Sequence, residues 1–328
     1  MRRSVWLAGS LLAASFGFLA WYVESSFSTG SFNGINSAEA RNEQTMNSGI
    51  LEVSLGEQGA EVIKHSQVPI KRGEVAGLAF YESSDIENRS EPIVRLRQGN
   101  LTLDFPIARS VLLTAAEKFG EGVENVDIDL KLSKPPKDST NELSINAYDR
   151  ATYALVMEVI ERIDKAGWKR YIDPSEPRLS ERITYPFQST MPRSAYQPGR
   201  GTTIHPDPNY RFGFEEWQSL PSTTNLNSWQ WYADGVFITL AFSKAPREAG
   251  VPMIEDLRIT IQSERMRLAA YDPTQKGDLS AAQKAYREAS GKRGERRHAE
   301  EAKARAAGLK ILEDWVDPPF GNIAVPGR

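Results

Sequence analysis

Val126-Asp127-Ile128-Asp129-Leu130-Lys131-Leu132 alternates apolar and charged residues without a break. Alternate side chains of a strand point to opposite faces. The stretch therefore predicts a half-buried strand, with Val126, Ile128, Leu130 and Leu132 inward and the two aspartates outward. Just upstream, Ile93-Val94-Arg95-Leu96-Arg97 and Leu101-Thr102-Leu103-Asp104-Phe105 flank Gln98-Gly99-Asn100. A short Gly-containing link between two alternating runs predicts a hairpin. Pro106 then suits the first turn of a helix, where its missing N–H costs nothing. Ile107, Val111, Leu112, Ala115 and Phe119 share one face of that helix, and Gly120 ends it.

Downstream of the strand, Pro135-Pro136 breaks regular structure, and Leu143, Ile145 and Ala147 alternate again. Asp149 can cap a helix whose stripe is Leu155, Val156, Val159, Ile160 and Ile163, closed by Gly167. Residues 168–172 return as a short strand. The order hairpin, helix, hairpin, helix predicts an α+β fold, with helices packed on one face of an antiparallel sheet.

Further out, residues 50–82 hold short apolar runs that predict entry strands. Residues 173–227 carry Pro174, Pro177, Pro186, Pro192, Pro198, Pro206, Pro208 and Pro221, a density that excludes long helices and interior strands. Beyond this excursion, 229–233 and 236–242 are apolar runs joined at Asp234-Gly235, the residue pair that favours a type I′ hairpin turn. Leu257, Ile259 and Ile261 make another strand. Residues 280–309 predict an exposed Ala-rich helix, capped by Ser280 and broken near Gly291 and Gly294. The resulting division is 1–23 anchor, 24–49 stalk, 50–172 α+β domain, 173–227 excursion, 228–317 second α+β half, and 318–328 tail.

The first 23 residues decide location. From Val5 to Val23 no charge interrupts VWLAGSLLAASFGFLAWYV, which is long enough to cross a hydrocarbon core. Arg2 and Arg3 in front predict a cytoplasmic N-terminus, by the positive-inside rule. Ala38-Glu39-Ala40 lies too far downstream for ordinary signal cleavage, so an uncleaved signal-anchor is the expectation and cleavage the alternative. The remainder then faces the periplasm, tethered to the inner membrane by a Ser-, Gly- and Asn-rich stalk. The chain has 328 residues and no cysteine, which excludes disulfides, zinc-cysteine sites and thiol catalysis. A net charge of -3 gives no reason to expect nucleic acid.

Residues with catalytic potential are few. Of the three histidines, His205 stands two residues before Asp207 in the Pro-rich excursion, and the two could orient an imidazole or bind a metal. An ordinary Pro-rich turn explains the same residues, so no cofactor and no metal is expected. Asp127 and Asp129 could pair on a metal; the polar face of a strand is the simpler explanation. Arg297-His298-Ala299-Glu300-Glu301 is not HExxH, and no nucleophile elbow, phosphate-binding or dinucleotide pattern occurs. The basic Lys292-Arg293-Gly294-Glu295-Arg296-Arg297 reads as a solvated helix face. Aromatics are the richest signal. Tyr210, Phe212, Phe214, Trp217, Trp229, Trp231 and Tyr232 crowd the end of the excursion and the next strand. Aromatics dominate interface centres, which predicts a protein partner; a core role for the alternating Trp229 and Trp231 is the competing explanation. An envelope hydrolase or glycan binder, and a structural subunit of an envelope complex, remain the other function classes.

Ala166-Gly167-Trp168-Lys169-Arg170-Tyr171 and Trp231-Tyr232-Ala233-Asp234-Gly235-Val236, behind an N-terminal anchor and within a cysteine-free body, resemble the membrane-anchored immunity or accessory proteins of type VI secretion lipase effectors. The resemblance implies a periplasm-facing protein that binds a toxic phospholipase and blocks it. It carries no diagnostic motif and assigns no residue a role.

Overall fold

The computed structural model describes residues 49–75, 77–84, 92–116, 122–134, 141–179, 211, 213–219, 223–247, 250–272 and 278–320. The anchor at 5–23 and the stalk lie outside them. Among the described residues no helix is long and apolar enough to cross a membrane.

The fold is α+β, built on one large mixed sheet. The chain enters as β1 (Ile50–Val53), a short helix α1 (Gly59–His65), β2 (Lys71–Val75) and β3 (Leu78–Ser84). A hairpin of β4 (Ile93–Gln98) and β5 (Leu101–Ala116) leads to β6 (Val123–Leu130), the strand that carries the alternating aspartates. Helix α2 (Glu142–Lys165) and the two-residue β7 (Lys169–Arg170) follow, then α3 (Phe214–Ser219). A meander of β8 (Thr223–Ala233), β9 (Val236–Arg247) and β10 (Gly250–Ser263) precedes α4 (Glu264–Ala269) and α5 (Leu279–Ala306). The strand order is β1-β4-β5-β6-β10-β9-β8-β7, with β3 paired along β5 and β2 along β3. Pairing is antiparallel except for β1 against β4, so the sheet is mixed where an antiparallel one was expected.

The helix expected from Pro106 is instead the middle of β5. Up to Ile107 this strand pairs with β4, and from Ser110 it pairs with β3 along the same edge. The β4 and β6 ladders both slip by one residue around the change of partner. Proline is tolerated in sheets at such irregularities, because no ladder N–H is needed there. The apolar spacing also fits a period of two, since Val111, Leu113 and Ala115 are buried while Leu112 is half-buried. Phe119 and Gly120 lie outside the described residues.

The strand expected at 143–147 is the first turn and a half of α2. Asn141 caps it, its Oδ1 accepting from the Ser144 N–H at 3.1 Å. Asp149, expected as the cap, is buried inside the helix. Ile145, Tyr148 and Thr152 extend the stripe of Val156, Val159, Ile160 and Ile163 toward the N-terminus. Three alternating residues are too short a run to separate the two periods.

Helix α2 packs on the inner face, where Val111, Ile128, Ile259, Ile238 and Trp231 join it in one apolar cluster. That cluster reaches from Leu51 to Ile261 and so draws on both expected halves of the chain. The sheet curls enough for the β4–β5 turn to touch the β8–β9 turn, Gln98 Nε2 donating to the Asp234 carbonyl at 3.4 Å. The latter turn is the expected two-residue Asp-Gly turn, with φ of 46° at Asp234 and 75° at Gly235. Helices cover both faces rather than one. Arg267 of α4 stacks on Phe237, which points away from the Val236 and Ile238 side of β9. Helix α5 runs unbroken through Gly291 and Gly294, and Asp278 rather than Ser280 caps it.

Candidate functional site

The excursion enters through residues 173–179 and returns through α3; residues 180–210 between them lie outside the described residues. Its return is anchored by aromatics. Trp217 of α3 is fully buried, with its ring 5.1 Å from Phe242, and Trp229 lies 5.3 Å from the same ring. Tyr153 of α2 meets both Trp217 and Phe214, at 5.9 and 5.6 Å. The Arg150 guanidinium covers Phe214 at 4.1 Å. Trp231 is buried on the inner face, and its indole N–H donates to Asp164 Oδ1 at 3.1 Å. Arg211 also bonds Asp164, on its other oxygen.

This placement corrects the expectation of three partner-binding tryptophans. Trp217, Trp229 and Trp231 have no surface to offer; the alternation of β8 turns Trp229 and Trp231 toward α2 and α3. Phe214 is half-buried under Arg150. Tyr232 points to the other face, its hydroxyl 3.4 Å from Glu264 Oε2, and burial followed by the Glu264 charge pushes its pKa up. Tyr210, Phe212, His205 and Asp207 lie outside the described residues.

The exit is held by ions. Arg178 forms a fork on Glu301 of α5, Nε to Oε1 at 2.6 Å and Nη2 to Oε2 at 2.9 Å. The Arg178 backbone N–H adds a third bond at 3.2 Å. Only 2% of the Glu301 side chain is exposed. These bonds hold its carboxyl below the ordinary range, against the opposing effect of burial. Arg297, also buried, donates to the carbonyls of Asp173 and Glu176 and, at 2.6 Å, to Asp317 Oδ2. Arg170 donates to the Leu179 carbonyl at 3.1 Å. Sequence reasoning missed this clamp because Arg178 and Glu301 stand 123 residues apart. Arg297 lay inside a run whose charges suggested only a solvated face.

The β6 aspartates are engaged in the sheet. Asp127 accepts from Thr260 Oγ1 at 2.7 Å and Asn125 Nδ2 at 2.6 Å. Asp129 accepts from Ser110 Oγ at 2.8 Å and Arg258 Nε at 3.0 Å. Burial pushes the Asp127 carboxyl up. The arrangement is a cross-strand polar ladder. Among the described residues no three His, Cys, Asp or Glu side chains gather to hold a metal.

No family model matches the chain, and neither a curated protein nor a solved structure matches it.

Proposed function

We propose that the chain is a non-enzymatic, membrane-anchored binding protein that presents the stretch between Leu179 and α3 to a protein partner on the periplasmic side. The observation that carries this reading is the pair of anchors. Leu179, packed with Ala304 and Ile311, and Trp217, packed in the main core, are both fully buried, and they fasten to the body the described residues on either side of 180–210. Recognition commonly resides on loops positioned by such scaffolds. The apolar run from Val5 to Val23 supplies the tether, and the basic pair before it sets the orientation. The mechanism is steric: the excursion covers a partner surface where the partner meets the membrane. The resemblance to immunity proteins would make that partner a phospholipase.

The test is affinity capture with the full-length chain in mild detergent, after crosslinking in the source cells. A variant carrying a Gly-Ser linker of equal length in place of residues 181–210 keeps both anchors. A partner held by the native chain and lost by the variant is the expected result. Equal capture by both, or none by either, overturns the reading. A phospholipase in the captured set, inhibited by the native chain, supports the immunity role.

A further inference from the structure

We propose that residues 309–320 form a releasable strap that locks the root of the excursion, residues 171–179, against α5. Three contacts spaced along the segment make the strap. Ile311 pairs with Leu179 in an isolated antiparallel bridge, and the Leu312 N–H donates to the Arg178 carbonyl at 2.7 Å. Asp317 takes the Arg297 guanidinium, and its other oxygen accepts the Trp315 indole N–H at 3.0 Å. Phe320 inserts edge-on between Phe237 of β9 and Tyr286 of α5, at 5.4 and 4.6 Å. Sheet, helix and excursion root are thus joined by one short length of chain.

Its packing is separate from the main core. Leu179, Ala304 and Ile311 form one small cluster, and Leu268, Ala282 and Tyr286, with Phe320 against them, form another. Neither belongs to the large inner-face cluster. Regions with few contacts to the main core are those that open below the free energy of global unfolding in native proteins. Val316, 85% exposed between the anchors, shows that the segment lies on the surface. Because Leu179 immediately precedes the excursion, release of Ile311 and Asp317 frees the point from which the excursion departs. The strap stands whether or not the excursion binds a partner.

Hydrogen exchange on the full-length chain in detergent tests it, comparing the native protein with Phe320→Ala and the milder Asp317→Asn. Loss of one aromatic anchor should speed exchange about tenfold in α5 and in 171–179, with β5 and β6 unchanged. Acceleration of equal size in β5 and β6 overturns the proposal, because the strap would then be part of the global fold. Unchanged exchange in 171–179 in both variants overturns it as well.

Discussion

On the inner face of the sheet, Trp229, Trp231, Ile238 and Ile259 share a dry cluster with Val156, Val159 and Ile163 of α2. On the outer face, Phe237 and Gln230 meet the Arg267 guanidinium, Tyr271 and Tyr286 lie under Arg293, and Arg178 with Arg297 of α5 clamps residues 173–178 to that helix. The same strands supply both faces, since Trp231 and Tyr232 are neighbours in β8 and so are Phe237 and Ile238 in β9. One face is held by area removed from water, which has no charge to titrate. The other is held by oriented charges and rings, which depend on ionisation and geometry. The face that can be switched is the one that fastens the excursion root.

The largest effect should come from breaking the dry face. Trp229→Ala removes a fully buried indole and leaves a cavity beside Phe242, at a cost of about 3–5 kcal/mol. Urea unfolding should show a lower midpoint for the whole body. A change confined to the excursion would return Trp229 to the interface role.

Next in size is the ionic clamp. Glu301→Gln leaves Arg178 without its charge partner at a buried site, and about 3 kcal/mol of local stability should go with it. Exchange should rise in α5 and 171–179 while the inner face holds. The pH response separates the faces further. Glu301 has a depressed pKa, so its contribution is present above the unfolded carboxylate pKa and is lost as pH falls through the folded value. Glu124 on β6 is shifted the other way by burial, despite a bond from Ser263. The native state takes up that proton first, so protonation of Glu124 stabilises the sheet as pH falls through its raised pKa. Acidification should therefore loosen α5 before the sheet, and Glu301→Gln should remove most of that loosening. Simultaneous loss of both regions at one pH would sink the distinction.

The sequence made the inner face readable and left the outer one dark, for a physical reason. Val126 to Leu130 and the Asp234-Gly235 turn are local features, in which period and backbone conformation are written into adjacent residues. Trp229 and Trp231 were legible as core only through their alternation, and their size pulled the reading toward an interface. Pro106 misled because it is as acceptable at a strand irregularity as at a helix start; the change of partner from β4 to β3 is a tertiary fact. Leu143, Ile145 and Ala147 misled because Asn141, four residues before Ile145, was not recognised as a cap. The clamp at Arg178, Arg297 and Glu301 has no local signature at all. Charged residues look solvated until the chain that buries them is folded over them.

The smallest effect is also the sharpest probe of the division. Gly291 and Gly294 suggested a broken helix, yet α5 passes through both, and a Cβ at either position meets nothing within 4 Å. Alanine there should stabilise the helix by about 0.5–1 kcal/mol per site, through lower backbone entropy in the unfolded chain. If α5 belongs to a separately opening outer unit, Gly291→Ala with Gly294→Ala should slow exchange in α5 and the strap. It should leave β6 and α2 where they were, and the urea midpoint of the main transition should hardly move. Slowing of equal size in β6 would mean that the charged face and the dry face unfold as one. The excursion root could then be released only by unfolding the entire body, and no partner, pH change or substitution at the strap could act on it alone.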